Sequence, residues 1–379
     1  MPFRIFFAHP SSLLTDHLPH GDGLVAYGFI SELASRGHEL HVAVEQADIR
    51  DQLPANVHLH RLGPGPGPAP VDRIGFMWRM RRLYGRLART APFDVVHQLN
   101  PVDVGLTLAI ADASVPVVLG PYVPDWPDAP KPGGRLLRPA VVRLNEALRA
   151  AQQRRAATVL LSTQAAASRL AAEGPAVHVI SGGIDDRRWA PPADQPPDAE
   201  QDVLFLGNLH ARKGILVLVE AFAEVAKTLP KARLVVAGDG PLRVELSRRI
   251  ADLQRVELLG AVERERAVAV MQRCSVYCSP SLGEPFGMTA LEAMACARPV
   301  VATNAGGLAH LVPDAGGRKV APGDAGALAA ALQEVLPDLG LRREMGAHNR
   351  RTVEERYSWR AVVDRLEDAY GEAIARRHS

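Results

Sequence analysis

Short apolar runs alternate with longer amphipathic stretches along almost the whole chain. The runs at residues 4–8, 40–44, 57–62, 95–98, 117–119, 159–161 and 177–180 read as strands. Between them, residues 24–36, 75–89, 141–156 and 164–172 read as helices. Short strands separated by helices predict parallel, doubly wound sheets. Ligands bind such sheets outside the carboxyl ends of their strands.

The alternation pauses at residues 190–198, APPADQPPD, a proline-rich stretch that no core could use and that reads as an interdomain linker. It restarts with strands at 203–206, 234–237, 256–259, 276–279 and 300–302. Two similar α/β units follow, in keeping with a length of 379 residues, too many for one core of ordinary size. The expected division is a first domain at 1–190, a linker at 191–200, a second domain at 201–357 and a terminal segment at 358–379. That segment carries a helix from Trp359 to about Ala375, expected to cross back to the first domain. The GPGPGPAP run at 63–70 reads as a surface loop without function.

Composition narrows the class. Hydrophobic residues make up 47% and charged residues 23%, ordinary for a soluble globular protein. A net charge of +2 argues against a dedicated nucleic-acid binder, although nearly all the cations are arginine. Cys274, Cys278 and Cys296 form no CxxC pair and no disulfide framework, which fits a reducing compartment. The opening MPFRIFFAHP is too short for a signal peptide or a membrane span, and no later run reaches about 18 apolar residues. The expectation is a cytoplasmic protein, at most peripheral at the inner face of a membrane.

The most informative stretch is Glu284-Pro-Phe-Gly-Met-Thr-Ala-Leu-Glu292, which sets two carboxylates eight positions apart around a turn-to-helix junction. The run from Thr289 consists largely of strong helix formers, and Gly287 stands where a loop would tighten before it. A helix starting there turns its unpaired N–H groups toward the loop as an anion seat. Two carboxylates beside an anion need partners of their own, and sugar and ribose hydroxyls suit. A sugar nucleotide supplies hexose, diphosphate and ribose together.

Gly207-Asn208-Leu209-His210-Ala211-Arg212-Lys213-Gly214 follows an apolar strand and precedes an amphipathic helix. Arg212 can grip a phosphate with two parallel bonds while Lys213 acts as a point charge; the plainer reading is an exposed basic turn. Gly238-Asp-Gly-Pro241 reads as a structural turn, with proline at the first helical position. Gly21-Asp22-Gly23 could let backbone approach a ligand closely. His9 and His20 flank it, and His97 ends the strand DVVH; these three are the candidate acceptor contacts, against ordinary structural roles. Arginine-rich stretches at 73–89 and 131–155 could meet anionic lipid headgroups or an acidic acceptor, or be solvated helix faces.

Several chemistries are missing. There is no GxGxxG after the first strand, no Walker motif, no GxSxG and no HExxH. No Asp-x-Asp pair offers to hold a divalent ion on a diphosphate. A diphosphate leaving group would then depend on Arg212, Lys213 and a helix dipole, with no required metal or cofactor.

Taken in order, GNLHARKG, VVAGDGP, VELLGAV, CSPSLGEPFGMTALEAMACARPVVAT and NAGG resemble the C-terminal half of a retaining GT-B glycosyltransferase of family GT4, the group 1 glycosyltransferases. The opening strand, Gly21-Asp22-Gly23 and SELASRGHELHV resemble the N-terminal half. The resemblance implies two Rossmann-like domains facing across a cleft, the first binding acceptor and the second the nucleotide sugar. It also implies residue roles: Glu284 on the donor hexose, Glu292 on the ribose hydroxyls, Lys213 on the diphosphate and Val262 near the base. Backbone amides near Phe286, Gly287 and Met288 would hold sugar and phosphate, with Thr289 beside them.

Three positions depart from the family pattern. Asn208 stands where arginine is usual, so Arg212 would have to substitute for it. Gly120 stands where many members carry histidine, and His310 stands where a Glu-like residue is usual. The implied activity is transfer of a hexose from a UDP- or GDP-sugar to a carbohydrate, lipid-linked or small-molecule acceptor hydroxyl. The alternatives are a sugar phosphorylase or epimerase on the same architecture, or a catalytically weak donor-binding subunit of another transferase.

Overall fold

The computed structural model describes residues 2–18, 21–63, 69–99, 104–110, 115–124, 138–171, 173–192 and 201–378. Its chain divides into two compact units. Unit 1 comprises residues 1–183 together with 359–379, and unit 2 comprises 184–358.

Unit 1 opens with β1 (Arg4–Ala8), β2 (Leu13–Thr15) and α1 (Gly21–Ser35), then β3 (Glu39–Val44), β4 (Gln46–Asp48) and β5 (Val57–Arg61). It continues through α2 (Ala69–Ala88), β6 (Val95–Gln98), β7 (Val117–Tyr122), α3 (Arg138–Arg155), β8 (Thr158–Leu161) and β9 (Ala176–Val179). Seven strands form one sheet in the order β5-β3-β1-β6-β7-β8-β9, with parallel pairing throughout. The short β2 and β4 pair separately.

Unit 2 holds β10 (Gln201–Leu206), α4 (Ile215–Thr228), β11 (Ala232–Ala237), α5 (Arg243–Arg249), β12 (Val256–Gly260), α6 (Arg264–Arg273) and β13 (Val276–Ser279). Then come α7 (Met288–Ala295), β14 (Val300–Thr303), α8 (Leu308–Leu311), β15 (Gly317–Val320), α9 (Ala325–Val335) and α10 (Leu339–Arg356). Its six parallel strands run β12-β11-β10-β13-β14-β15.

Setting aside β2 and β4, each sheet steps outward from its first strand, then jumps back and steps the other way. The reversal falls between β1 and β6 in unit 1 and between β10 and β13 in unit 2. Loops leaving the two strands at such a reversal diverge and leave a crevice between them. The central strands of each sheet are covered on both faces and read as largely apolar runs, whereas edge strands such as β5 and β12 carry polar residues. Phe7, Val42 and Val95 face α1 and the terminal helix, whereas Phe6, Val96 and Leu119 face Phe76, Met80 and Tyr84 of α2.

The terminal helix α11 (Trp359–His378) belongs to unit 1, where Val363, Leu366 and Tyr370 complete the core against α1. Gly28 of α1 makes room for it, since a Cβ there would lie 1.9 Å from the Trp359 ring. Arg36 adds ion pairs to Asp364 at 2.7 Å and Glu367 at 2.6 Å. The chain leaves unit 1 between Gly183 and Ile184 and returns beside that point, where Ile184 and Ser358 form a parallel bridge. The proline-rich stretch expected to mark the division lies mostly outside the described residues, and so does most of the GPGPGPAP loop.

One expected helix comes out differently. Among the described residues of that stretch, 164–171, there is a six-residue 3₁₀ segment, Gln164–Arg169, and no α-helix. The segment is short and its amphipathic pattern weak, so i→i+3 turns suffice to connect β8 to β9. Three strands went unread from the sequence: β2, β4 and β15, each of three or four residues.

Candidate donor site

The reversal in unit 2 brings together two loops that are far apart in sequence. After β10 the chain runs from Gly207 into a 3₁₀ turn, Ala211–Lys213. After β13 it runs through Ser281 and Glu284 to the start of α7. Lys213 Nζ donates to Glu284 Oε2 at 2.6 Å across a separation of 71 residues. Ser281 Oγ donates to the same carboxylate oxygen at 3.4 Å, and Leu282 N donates to the Arg212 carbonyl at 2.8 Å. The side chains of Lys213 and Glu284 are 23% and 12% exposed, so the pair is shielded yet still reachable.

Glycines make this approach possible. Gly214 has φ 69°, and a Cβ there would lie 1.9 Å from the Pro280 carbonyl oxygen. On the other side, Gly307 N donates to the Glu284 carbonyl at 2.6 Å, and a Cβ on Gly306 would lie 2.3 Å from that oxygen. Glu284 is thus held by its backbone on one side and by its carboxylate on the other.

Helix α7 begins at Met288 directly after Gly287, with no side chain capping its N-terminus. An uncapped helix start presents N–H groups and a partial positive charge to whatever lies before it. Here that is a narrow pocket lined by Lys213, Tyr277, Ser281, Glu284, Gly287 and Thr289. Phe286 is buried in an apolar cluster with Leu291, and the half-buried Val262 and Met288 pack against that cluster.

Glu292 lies one turn into α7 and is half-buried. Burial pushes its carboxyl up to about 8, opposed by the Arg264 guanidinium. The Tyr277 phenol is raised well above its ordinary value by burial and then by the charges of Glu284 and Glu292. Tyr277 therefore feels both carboxylates from beneath. Sequence reasoning missed Tyr277 and Arg264. Tyr277 reads as one more core position of an apolar strand, and Arg264 as one more charge on an Arg-Glu-Arg helix start.

The remaining basic-turn residues stand at the surface. Arg212 and Asn208 are both exposed. Asn208 sits tight against the neighbouring turn, where a Cβ on Gly240 would lie 2.8 Å from its Oδ1. Within that turn the Asp239 carboxylate accepts from Gly240 N at 2.7 Å and from Arg243 Nη1 at 2.6 Å, while its carbonyl accepts from Leu209 N of the basic loop at 2.9 Å.

In unit 1, Gly21, Asp22 and Gly23 form the first turn of α1, with open space where a Gly21 side chain would go. His20 lies outside the described residues, as do residues 125–134 of the loop after β7. His9 follows β1 at φ 50° and is 3% exposed, packed edge-on against Phe76 with Glu45 Oε1 at 3.5 Å.

His97, an expected acceptor contact, lies inside the core of unit 1. It is fully buried, with Nδ1 2.5 Å from the Tyr370 hydroxyl and Nε2 2.8 Å from the Gly120 carbonyl. Burial lowers it to about 4, so it is a neutral core residue joining β6 to β7 and α11. Gly120 itself can carry no side chain, because a Cβ there would lie 2.3 Å from the Leu160 carbonyl oxygen. Histidine is therefore sterically excluded at 120.

Two doubly wound parallel units, one with a cation–carboxylate pair at the head of an uncapped helix, define a protein of the GT-B type. The profile described as glycosyl transferases group 1 matches residues 200–338, and that described as glycosyltransferase family 4 matches residues 20–188. The chain belongs to the group 1 glycosyltransferases.

Among its relatives, it is 34% identical over 197 residues to a phosphatidyl-myo-inositol mannosyltransferase of Mycolicibacterium smegmatis, covering 50% of each chain. It is 30% identical over 198 residues to a glycogen synthase of Mycobacterium tuberculosis, covering 51% of this chain and 48% of that protein. The chain spans about half the length of the curated relatives it matches. Its fold is similar to that of sucrose-phosphate synthase from Thermosynechococcus elongatus, at TM-score 0.74 and 22% identity, covering 99% of each chain. It is equally similar to Anabaena HepE, solved in complex with UDP, at TM-score 0.74 and 20% identity, covering 97% of this chain and 99% of that one. Among the described residues no helix is long and apolar enough to cross a membrane.

Proposed function

We propose that this chain transfers a hexose from a nucleotide diphosphate sugar to an acceptor hydroxyl, with retention at the anomeric carbon and without a required metal. The observation that carries the reading is the Lys213–Glu284 pair at the start of α7. In this reading Lys213, Arg212 and the α7 amides near Gly287, Met288 and Thr289 take the diphosphate. Glu284 accepts from hexose hydroxyls and Glu292 from the ribose, while Val262 lies beside the base and the backbone amide near Phe286 joins those that hold sugar and phosphate. Solved HepE structures with UDP and with UDP-glucose support a nucleotide-sugar donor by analogy.

As the bond from C1 to the phosphate oxygen breaks, negative charge gathers on the leaving diphosphate. Preorganised cations and helix amides stabilise that growing charge more than the ground state, and this lowers the barrier. The acceptor oxygen bonds to C1 on the same face, and its proton passes to the departing phosphate oxygen. Glu284 is already ion-paired with Lys213, which fits a carboxylate that orients sugar hydroxyls better than one that attacks C1. A covalent retaining route needs a carboxylate free to reach that carbon.

The acceptor is a carbohydrate, lipid-linked or small-molecule alcohol, selected by unit 1. Helix α2 supports contact with an anionic membrane surface: Ile74 and Trp78 are 58% and 63% exposed, and Arg81, Arg82 and Arg86 are exposed further along the helix. A thermal-shift screen against UDP-, GDP-, ADP- and TDP-sugars, followed by product analysis with labelled donor, tests the reading. One donor should raise the melting temperature, by an amount that grows with the logarithm of its concentration over Kd, and pass its sugar to an alcohol. Binding without transfer across a wide acceptor panel would instead mark a donor-binding subunit, and transfer to inorganic phosphate a phosphorylase.

A further inference from the structure

A second cluster of chemistry lies in unit 1, at the amino ends of β1, β3 and β5. That is the opposite end of the sheet from the turn leading into α1. Parallel register sets Glu39 beside Arg4 and His41 beside His58, and period-two alternation puts Glu39 and His41 on one face of β3. His58 and His60 share the matching face of β5. The His41 ring stacks on His58 at 4.5 Å and lies parallel to His60 at 5.4 Å between centroids.

The donor atoms converge. Glu39 Oε1 is 2.9 Å from His41 Nε2 and 3.8 Å from His58 Nε2, and one ligand atom from each of the three residues lies within 4.8 Å of the others. An ion bound tetrahedrally at about 2.0–2.2 Å sets its ligands about 3.3–3.6 Å apart, and the two distances bracket that span. We propose that Glu39, His41 and His58 form a binding site for a divalent transition metal of the zinc class, with the fourth position open to water.

Two details support the assignment. His41 Nδ1 lies 3.1 Å from His60 Nε2. With an ion between His41 and Glu39, Nδ1–H would donate to His60 and leave the Nε2 lone pair to the ion, the arrangement by which a partner outside the coordination shell orients a ligating imidazole. Second, a cation already occupies the spot. Arg4 Nη2 is 3.0 Å from His41 Nε2, and Arg4 Nε is 3.1 Å from Glu39 Oε1. Its guanidinium also donates to the Ala91 carbonyl and covers the Phe93 ring at 4.3 Å. Arg4 can therefore yield to a dication and keep two anchors. Two histidines and one carboxylate suit zinc, nickel or copper better than magnesium or calcium.

Such an ion would tie β5, the last strand of the sheet, to β3. The test is titration of the chelator-stripped full chain with Zn2+ alone against a chromophoric competitor, with thermal melts in parallel. The expected result is one saturable equivalent, a melting temperature raised by Zn2+, and affinity reduced at least about tenfold in His58→Ala and in Glu39→Gln. His58 is 44% exposed on its side chain, so His58→Ala should melt like the parent in chelator, separating lost binding from lost folding. Absence of a saturable equivalent, or binding that both substitutions leave intact, overturns the proposal.

Discussion

The two units share one strand order and put it to opposite uses. In unit 2 the strands flanking the reversal, β10 and β13, end in loops that gather Lys213, Ser281 and Glu284 in a half-shielded pocket beside an uncapped helix. In unit 1 the equivalent strands, β1 and β6, carry His9 and His97 at their carboxyl ends, and both are buried. His97 is closed over by Tyr370 of α11, a helix that follows unit 2 in sequence. A common topology thus sets different side chains at the same two strand ends, a half-shielded ion pair in unit 2 and two buried histidines in unit 1.

The sharpest way to break this contrast is to remove one residue from each crevice. Lys213→Ala should lower kcat by about 10²–10³ if the lysine stabilises charge on the leaving diphosphate. A raised KM with unchanged kcat would show instead that it binds substrate and transition state alike. His97→Gln should leave kcat within about twofold while lowering stability by about 1–3 kcal/mol, since it disturbs a buried hydrogen-bonded link. Equal kinetic damage from both would erase the distinction between the units.

Acid sharpens it next. His97 is held near 4 in the folded chain, below the ordinary 6.5 of an exposed histidine. Between those values the unfolded chain binds a proton that the folded one does not. Its contribution to stability is therefore present above about pH 6.5 and is lost as pH falls toward 4, up to about 3 kcal/mol. Chemical denaturation from pH 7 to 4 should show this decline, and His97→Gln should flatten it. An unchanged slope in the variant would mean that other groups control acid unfolding.

Glu292 carries the opposite sign. Its folded value of about 8 lies above its ordinary 4.5, so its contribution is fully present below about 4.5 and is lost as pH rises toward 8. Ribose hydroxyls donate best to the ionised carboxylate. Nucleotide affinity should then rise with pH up to about 8, by at most about tenfold per unit, with proton release on binding. Isothermal titration of the cognate nucleotide in buffers of different ionisation enthalpy measures both effects. Glu292→Gln should remove them, and a pH-independent affinity in the parent would separate Glu292 from the ribose.

How much of this was legible differs by level. Twelve strands could be read from the chain: the central ones are largely apolar runs, and edge strands such as VHLHR and AVHV still carry apolar residues at alternate positions. The pair β2 and β4 could not, because LLT and QAD carry no strand pattern and are held by each other across the fold. Glu284, Gly287 and Lys213 stood out as motif residues, and the strand order explains why two loops separated by 71 positions meet. Tyr277 and Arg264 did not stand out, since their roles come only from what burial and neighbouring charge do to them. His97 shows the converse: a histidine ending a strand can be weighed as a contact from sequence, while its burial and its two partners, the Tyr370 hydroxyl and the Gly120 carbonyl, are visible only in the fold.

The smallest effect concerns the outer face of unit 1. Helix α2 buries Phe76, Met80 and Leu83 and turns Ile74, Trp78, Arg81, Arg82 and Arg86 outward. A helix built only for solvent has little reason to expose tryptophan beside arginines. At a membrane surface the ring would sit at headgroup depth while each cation gains about 1 kcal/mol from anionic lipid. Co-sedimentation with vesicles containing anionic phospholipid should therefore retain the chain at low salt and release it as salt screens the attraction. Arg81→Glu with Arg82→Glu should weaken binding by about tenfold or more, and Trp78→Ser by a smaller factor. The same variants should turn over a soluble alcohol acceptor at the parental rate, because neither substitution touches the Lys213–Glu284 pocket. Binding equal on neutral and anionic vesicles, or unchanged by charge reversal, would return α2 to an ordinary solvated face and leave the acceptor to be sought among soluble alcohols.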